Sequence, residues 1–481
     1  MIRVIPVLRI LGALFMGVAG LMTIPLLMDL AGGAGANSPF VAGVVAAAFA
    51  GATLLILTGA REPGELTRRQ AFLTTGSAWL LAPALAGIPL MGSGLSFVDA
   101  YFEAASGLTT TGATIYSNLE ETKDSILLWR SILTFVGGIG IVVIAILVMP
   151  ALRVGGMQIF RTESSDQSDK VFSRGLDFVI WIAGVYIGLN ILCAGVYAAL
   201  GMSAFDAVNH AMTTVATGGF STHDASFAWF DSPAIEWAAT LFMCAGALPF
   251  VAIIRTLRGR DAAIVTDVQV RAFLAFLLVA SLLLTPSVMK ALDVAAPDAF
   301  RVAAFSVVSV TTTTGYAVGD FQAWGPFSVG VFFLLMFVGG CSGSTSGGIK
   351  MYRIQILIKL ALAHMRRLVS PARTVVVVYS TRRVGDDIEI AILTFMVAYL
   401  VSTALVTLAL AALGLDLVTA ISGAAAAVGN VGPGLGPIIG PAGNYSSLHD
   451  AAKMVLALAM ILGRLEFFTL LVLLTPAFWR G

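Results

Sequence analysis

Charge is what this chain lacks most. Asp, Glu, Lys and Arg make up 11% of its 481 residues, whereas hydrophobic residues make up 58%, and the mean hydropathy is +0.93. So few charges cannot cover the water-exposed surface of a chain of this length, which excludes a soluble globular protein. No nucleic-acid partner is expected either. Most of the surface must therefore face a lipid bilayer.

Cysteine and histidine are also scarce, with three and four copies. Cys193, Cys244 and Cys341 fall in apolar or Gly-rich stretches, so they predict neither a disulfide framework nor a metal site. The histidines are scattered, and no predicted span carries a set of His, Asp and Glu spaced for metal binding or acid–base chemistry. The sequence therefore predicts a protein that is not an enzyme.

What the chain has in quantity is long apolar runs. A spanning helix needs about 20 apolar residues, and the sequence predicts ten spans if the two runs around residue 345 form one broken helix. The fold class predicted is an all-α polytopic membrane protein. The runs lie near 5–29, 39–59, 70–91, 125–150, 174–201, 234–257, 268–290, 326–341, 349–364, 387–413 and 450–478.

Most of the 28 Lys and Arg residues fall on one side of these predicted spans. Because positive residues are retained on the cytoplasmic side, both termini are predicted to be cytoplasmic. Acidic residues gather in the loops of the opposite side, where their field would attract cations. Loops that simply need polar residues for solubility would show the same pattern, so both interpretations of the acidic loops remain open.

Four short strings, each ending in glycine, recur along the chain. TTTG at 109–112, VATG at 215–218, TTTG at 312–315 and GNVG at 429–432 have terminal glycines 106, 97 and 117 residues apart. Each follows a segment too short to cross a bilayer, with a carboxylate near its start that marks the beginning of a helix. Four equivalent helix–loop repeats predict a ring around a central axis. The short helices are predicted at 97–108, 204–214, 297–311 and 417–428.

Glycine-rich backbone at membrane depth is tolerated only where it is buried in protein or lines a cavity. Four short helices that point their carbonyl ends inward, followed by four carbonyl-lined loops, suit a partly dehydrated monovalent cation. A cation is predicted to bind at Thr111, Thr217, Thr314 and Val431. The whole predicted selectivity filter comprises Thr110, Thr111, Gly112, Ala216, Thr217, Gly218, Thr313, Thr314, Gly315, Asn430, Val431 and Gly432.

A second feature is the stretch 339–348, whose ten residues include five glycines and three serines. Such a stretch interrupts a helix, and at bilayer depth it is predicted to line the cavity below the loops. A close crossing of packed helices is the alternative. Arg464, within the last apolar run, is costly in hydrocarbon and is expected to face the pore or a partner, where its guanidinium can donate to loop carbonyls. An ion pair with Glu466 or another buried carboxylate is the alternative for this arginine.

Longer strings around the loops, SGLTTTGAT at 106–114, TVATGGFST at 214–222, TTTTGYA at 311–317 and GNVGPGLG at 429–436, resemble the Trk/Ktr/HKT superfamily of potassium transporters. The two spans before residue 60 make the chain similar to the bacterial Trk-type membrane subunit. The resemblance implies four pseudo-symmetric span–pore helix–span units around a central ion pore, plus two N-terminal spanning helices. The implied boundaries are 1–62 for the N-terminal pair and 63–155, 156–260, 261–384 and 385–481 for the pore units.

The resemblance also implies potassium uptake across the bacterial cytoplasmic (inner) membrane, with K⁺ as the bound and transported ion and no cofactor in this chain. It implies a homodimer and a cytoplasmic nucleotide-binding regulatory subunit of the TrkA type. The chain has no GxGxxG or P-loop of its own, so nucleotide control would need that partner. The stretch 339–348 resembles the intramembrane gating loop of the family. The implied gate comprises Gly343, Ser344, Thr345, Ser346, Gly347, Gly348 and Arg464.

An alternating-access cation symporter, coupled to H⁺ or Na⁺, is the alternative function. Such a transporter is expected to have two inverted halves and a substrate site at the midplane. Four repeats of the same sense favour a pore instead.

Overall fold

The computed structural model describes residues 3–33, 35–59, 66–144, 175–259, 262–371, 375–380 and 382–480. Within these ranges seven helices are long and apolar enough to cross a membrane, and two sharply bent helix pairs add one span each if counted as single crossings. The predicted end of the fourth apolar run, and several of the Lys and Arg residues used to predict orientation, fall at 145–174 and lie outside the described residues.

Two N-terminal helices, α1 (Ile5–Ala31) and α2 (Pro39–Thr58), form an antiparallel pair. The side chain of Ser38 accepts a hydrogen bond from Phe40 N and so caps the start of α2. The two helices cross closely because glycines face each other: a Cβ added at Gly51 would lie 2.8 Å from the carbonyl oxygen of Gly12. Small residues at such crossings let spanning helices pack in lipid.

The remaining helices follow in four runs. The first run contains α3 (Arg68–Ala86), α4 (Ile88–Gly92), α5 (Phe97–Leu108) and α6 (Asp124–Val143). The second contains α7 (Gly175–Ala199), α8 (Ala204–Val215), α9 (Pro233–Ala247) and α10 (Phe250–Leu257). The third contains α11 (Ala263–Thr266), α12 (Val268–Leu292), α13 (Ala296–Thr311), α14 (Pro326–Leu335) and α15 (Met351–Val369). The fourth contains α16 (Asp386–Ala412), α17 (Leu417–Gly429), α18 (Gly436–Ile439), α19 (Asp450–Arg464), α20 (Phe468–Leu471) and α21 (Pro476–Arg480).

A small antiparallel hairpin, β1 (Val378–Tyr379) with β2 (Arg382–Arg383), joins the third run to the fourth. Short 3₁₀ turns occupy several connections: Gly35–Asn37, Leu119–Glu121, Ser226–Phe230, Phe321–Trp324 and Val472–Leu474.

Four short helices, α5, α8, α13 and α17, each pack between the long helix before them and the helix after them. Ser96, Ser203 and Asp416 accept a hydrogen bond from a backbone N–H of the first turn of α5, α8 and α17, which fixes where these helices begin. The third short helix is 16 residues long, about one turn more than the 12 residues of α5 and α8. This arrangement confirms the predicted all-α fold of four repeated units and an N-terminal helix pair.

Within the described residues, the second helix is broken in the second, third and fourth units. Only the glycine-rich break in the third unit was predicted, between α14 and α15. The runs at 234–257 and 450–478, predicted as single spans, are instead bent by 98° between α9 and α10 and by 105° after α19. Pro249 explains the first bend, because proline forces the residue before it, Leu248, into extended backbone. At the second bend Glu466 and Phe467 adopt left-handed backbone.

Candidate functional site

The loops that follow the four short helices share one backbone path. Just after each short helix, one residue adopts a left-handed φ of between 52° and 60° and so ends the helix. The left-handed residues are Thr110, Thr217, Thr313 and Asn430. The next residue donates its N–H five residues back, at 2.8 to 2.9 Å: Thr111 to Ser106, Gly218 to Thr213, Thr314 to Ser309 and Val431 to Ala426. A second left-handed residue closes each loop: Gly112, Gly219, Gly315 and Gly432.

Three of the four cap residues are in a conformation that their side chain disfavours. Left-handed backbone costs an L-residue about 1–2 kcal/mol, and a β-branched residue is a genuine outlier there. Thr110, Thr217 and Thr313 adopt it at equivalent places, whereas Asn430 is of a type that tolerates it. Backbone strain of this kind clusters at functional sites. The repeated strain marks these loops as a site independently of their sequence motif.

The register predicted for the second loop is wrong by one residue. Gly219, with φ of 68°, is the closing residue equivalent to Gly112, and Gly218 takes the place of Thr111. The predicted cation ligand Thr217 is therefore equivalent to Thr110. Alignment on the motif misled because the second string is followed by a further glycine. The helix caps carry the correct signal: Ser96 to Gly112, Ser203 to Gly219 and Asp416 to Gly432 are each 16 residues apart.

Each loop touches the next one in chain order, and the fourth touches the first. A Cβ added at a closing glycine would clash with a backbone carbonyl of the following loop, so only glycine fits there. The clashes join Gly112 to Gly218, Gly219 to Thr314, Gly315 to Val431 and Gly432 to Thr111. The four loops thus form a closed structure, called here the ring, that runs over 110–112, 217–219, 313–315 and 430–432.

The backbone oxygens of the ring have almost no protein partner. In the part of the chain that the structure describes, one of these twelve carbonyl oxygens accepts a hydrogen bond, that of Gly432, from Tyr445 Oη at 2.7 Å. The Thr and Asn side chains of the ring are fully buried. A buried backbone oxygen is normally paired, and leaving one unpaired costs about 1–3 kcal/mol. Oxygens kept free in a closed ring are suited to replace the hydration shell of a cation.

Side-chain hydroxyls stiffen two of the loops from behind. Thr109 Oγ1 lies 2.7 Å from Thr111 Oγ1 in the first loop, and Thr312 Oγ1 lies 2.7 Å from Thr314 Oγ1 in the third. The fourth loop has Gly429 and Val431 at these two positions, and its Asn430 is instead hydrogen-bonded to Thr111 of the first loop.

A cavity of about 200 Å³ opens on the side where the short helices begin, and its lining includes all four closing glycines. A buried ion pair stands beside it, with Arg130 Nε 2.8 Å from Glu103 Oε1. Arg130 also donates to Thr114 Oγ1 and to the Ser221 carbonyl, at 3.0 and 3.1 Å. It therefore ties the chain after the first loop to the chain after the second. Sequence reasoning missed this pair because nothing local relates a carboxylate in α5 to an arginine in α6.

Carboxylates cluster around the mouth of this cavity, and several are held by partners. Lys453 Nζ lies 2.6 Å from Asp99 Oδ1, and Arg301 pairs with Glu236. Burial acts to raise the pKa of Asp206, but hydrogen bonds from Ser203 and Thr222 and the neighbouring His223 outweigh it and bring the pKa below its usual range. Asp206 therefore stays ionised into the acidic range, and its negative charge attracts cations.

The glycine-rich stretch of the third unit lies against the opposite side of the ring. Thr345 Oγ1 donates to the carbonyls of Val215 and Gly246, at 3.0 and 2.9 Å, and accepts from Thr217 Oγ1 at 3.1 Å. Gly347 N donates to Thr313 Oγ1 at 2.7 Å. Two of the strained threonines therefore hold this stretch with their hydroxyls. The predicted gate residues from 343 to 348 are brought together below the loops.

Arg464 joins the same cluster. Its side chain is 3% exposed, and its Nη1 donates to the Thr345 carbonyl at 2.9 Å. The alternative pairing with Glu466 is not found, because Glu466 Oε2 lies 2.6 Å from Arg353 Nη2. Lys350 Nζ donates to the Ser346 carbonyl. Sequence reasoning missed Lys350 and Arg353, which stand at the start of α15 beside the glycine-rich stretch.

The bend between α9 and α10 receives the glycine-rich stretch. Cys341 N donates to the Ala247 carbonyl at 2.9 Å, and Phe250 N donates to the Gly343 carbonyl at 3.0 Å. The break at Pro249 frees these backbone groups from helical bonds. The backbone groups that lack helical partners at the bend of the second unit are thus hydrogen-bonded by the glycine-rich stretch of the third unit.

A ring of free backbone oxygens at the centre of a polytopic helical chain, open on one side and covered on the other, defines a membrane transport protein for cations and not an enzyme. The chain belongs to the TrkH family of cation transport proteins, whose family model matches residues 36–480. The predicted Trk-type kinship and the multi-pass membrane character are confirmed.

Curated relatives match over almost their full length. The Trk system potassium uptake protein TrkI of Halomonas elongata is 44% identical over 478 residues, which cover 99% of this chain and 97% of the relative. The Trk system potassium uptake protein TrkH of Escherichia coli is 35% identical over 483 residues, covering 98% of each. The crystal structure of the potassium transporter TrkH from Vibrio parahaemolyticus superposes with a TM-score of 0.91 at 34% identity, with all of both chains covered.

Proposed function

We propose that this chain takes up potassium across the bacterial cytoplasmic membrane through the ring, which acts as a selectivity filter. The observation that carries the proposal is the closed set of twelve backbone oxygens, eleven of which have no hydrogen-bond donor among the described residues. Such oxygens replace the water around a monovalent cation. The relatives named above are potassium uptake proteins, and K⁺ is the ion that we assign to the site.

The corrected register changes the ligands that we propose. The carbonyls that we assign to the cation are those of Thr111, Gly218, Thr314 and Val431, which are equivalent in the four loops and each lie against the closing glycine of a neighbouring loop. The four short helices end at the ring, so the negative ends of their dipoles add to the attraction for a cation. The neighbouring residues Thr110, Gly112, Ala216, Thr217, Thr313, Gly315, Asn430 and Gly432 complete the filter, together with Gly219.

The glycine-rich stretch and Arg464 are proposed to close the path. Residues Gly343 to Gly348 lie directly below the ring, and the positive charge of Arg464 opposes a cation that approaches there. Movement of the stretch would break the hydrogen bonds of Thr345 and Gly347. The boundaries at 62, 155, 260 and 384, between the helix pair and the four pore units, stay a proposal, and the first three lie outside the described residues.

The proposed orientation has both termini in the cytoplasm and the acidic mouth outside, as the positive-inside rule requires. The relatives' names refer to a Trk system, which fits a cytoplasmic nucleotide-binding regulatory subunit of the TrkA type. A homodimer is proposed as the assembly in the bilayer.

Uptake of radioactive rubidium into proteoliposomes that contain the purified protein tests the proposal. Competition by K⁺ should be strong and competition by Na⁺ weak, and Gly315→Ser should reduce the difference. Equal competition by K⁺ and Na⁺ would contradict a selective filter. Uptake that requires an imposed H⁺ or Na⁺ gradient would favour the symporter, whereas uptake down the rubidium gradient alone would favour a pore.

A further inference from the structure

The fourth loop of the ring is held differently from the other three. It has Gly429 and Val431 in place of the threonines whose paired hydroxyls stiffen the first and third loops. Its Asn430 Nδ2 donates to Thr111 Oγ1 at 3.0 Å and to the Met460 carbonyl at 2.8 Å. The fourth wall therefore depends on bonds from outside its own loop.

Tyr445 supplies the most direct of these bonds. Its hydroxyl donates to the carbonyl of Gly432, the closing glycine, at 2.7 Å. In the described residues no donor reaches the corresponding carbonyls of Gly112, Gly219 and Gly315. The outermost level of the ring therefore has three free oxygens and one that is already bonded.

The phenol is fixed in place from several directions. Tyr445 is 4% exposed, and its ring packs on Phe102 with centroids 5.4 Å apart. Its backbone N donates to the Thr114 carbonyl of the first unit at 2.8 Å. The connection that carries it is tied to the third unit, where Gly436 N donates to Gln322 Oε1 at 2.6 Å. A side chain anchored so firmly sets the direction of the carbonyl that it bonds.

We propose that Tyr445 is a positioning residue for ion selectivity, because it holds the Gly432 carbonyl in one direction at the outermost cation site. This inference rests on the proposed function of the ring. A carbonyl oxygen has two lone pairs, so the bond to the phenol leaves one lone pair for an ion. The bond prevents the Gly432 carbonyl from moving closer to the axis when a smaller ion such as Na⁺ binds. Without it, the Gly432 carbonyl turns more freely, and Na⁺ competes better.

Tyr445→Phe tests the inference, since it removes the hydroxyl and keeps the ring that packs on Phe102. Tyr101→Phe is the matched control: Tyr101 is also buried, and its hydroxyl also donates to a backbone carbonyl, that of Leu80 at 3.1 Å, away from the ring. Rubidium uptake would be measured in proteoliposomes with increasing K⁺ or Na⁺. The readout is the ratio of the two half-inhibiting concentrations, together with the thermal unfolding midpoint of each variant.

We expect Tyr445→Phe to lower the Na⁺-to-K⁺ ratio about threefold to tenfold, the size of effect of one hydrogen bond, and Tyr101→Phe to leave it within about twofold. An unchanged ratio in Tyr445→Phe, beside a selective unmodified protein, would overturn the inference and leave the proposed function standing. A Tyr445→Phe protein that does not fold would also overturn it, because the bond would then support the fold. An unmodified protein that does not select K⁺ would instead remove the proposed function.

Discussion

The first and third units present the same loop to the ring, but they are built differently behind it. Both loops read TTTG, both end their helix with the same cap, and both carry a pair of threonine hydroxyls 2.7 Å apart. Behind the first loop stands the unbroken helix α6, whose Gly137 lies against the Leu108 carbonyl at the end of α5. Behind the third loop, helix α14 ends at Leu335 and the glycine-rich stretch comes after it.

The difference appears most clearly at two equivalent hydroxyls. Thr313 Oγ1 accepts a hydrogen bond from Gly347 N, whereas the buried Thr110 Oγ1 has no hydrogen-bond partner among the described residues. The loop shape is therefore set locally by the helix cap and the closing glycine. The contact with the glycine-rich stretch depends instead on the segment that packs beneath each loop. A substitution could therefore change the proposed closure of the path without changing the loop shape on which the proposed selectivity depends.

Substitution of Gly219 should have the largest effect, because the comparison of the loops depends on their register. Alanine at Gly219 needs left-handed backbone and would clash with the Thr314 carbonyl, so selective uptake should fall to background. A Cβ added at Gly218 would clash with the methyl group of Thr134, its closest neighbour, and would lie 3.2 Å from Thr110 Cβ. Uptake by Gly218→Ala should therefore recover in part when Thr134→Ser is added.

Rubidium uptake with K⁺ and Na⁺ competitors measures both variants. Selective uptake retained by Gly219→Ala, with loss in Gly218→Ala plus Thr134→Ser, would restore the register predicted from the motif.

A buried ion pair stands on each side of the ring. Arg130 pairs with Glu103 beside the outer cavity, and Arg353 of the third unit pairs with Glu466 of the fourth beside the glycine-rich stretch. Removing one partner leaves a buried charge uncompensated, so Arg353→Met should lower the free energy of unfolding by about 3–5 kcal/mol. Removing both, with Glu466→Gln added, should restore much of that loss.

Thermal unfolding in detergent measures this effect, and Arg130→Met provides the matched case in the first unit. A double variant no more stable than Arg353→Met alone would show that the pair is not the source of the loss.

A smaller effect is expected from removing the two equivalent hydroxyls. Thr313→Val leaves Gly347 N without its acceptor, and an unpaired buried N–H costs about 1–3 kcal/mol, so the closed arrangement should weaken and basal rubidium flux should rise about fivefold or more. Thr110→Val removes a hydroxyl that has no partner among the described residues, so its flux should change far less. Valine keeps the β-branched shape in both.

Flux without any regulatory partner, measured at equal protein density in the liposomes, compares the two variants. Equal changes in Thr110→Val and Thr313→Val would contradict a special role for the third loop in closure.

The fourfold repeat and the position of the candidate site could be predicted from the sequence, because both depend on short stretches of neighbouring residues. The Gly-ended strings, the short helices before them and the interrupted run at 339–348 all follow from hydropathy and backbone preference. The register of the second loop failed at adjacent glycines, since composition does not distinguish Gly218 from Gly219. The bend at Pro249 could have been predicted from the proline, but the continuous apolar run around it favours a single straight span.

Other features have no local signal at all. Tyr445 donates a hydrogen bond to the Gly432 carbonyl, 13 residues earlier in the same unit. Arg130 donates hydrogen bonds to Thr114 of the first unit and Ser221 of the second. Such contacts arise only when distant segments pack together. The left-handed backbone of Glu466 and Phe467 is of the same kind, because neither residue type favours that conformation.

The closure of the fourth loop on the first has a consequence for biosynthesis. Asn430 donates to Thr111, and Tyr445 donates its backbone N–H to Thr114, so the last unit completes the surroundings of the first. A nascent chain in which three units have been inserted lacks the fourth wall and also lacks Arg464. The proposed selective path therefore cannot form until synthesis reaches the last unit, and the same late segment brings Arg464, the charge that we propose closes it.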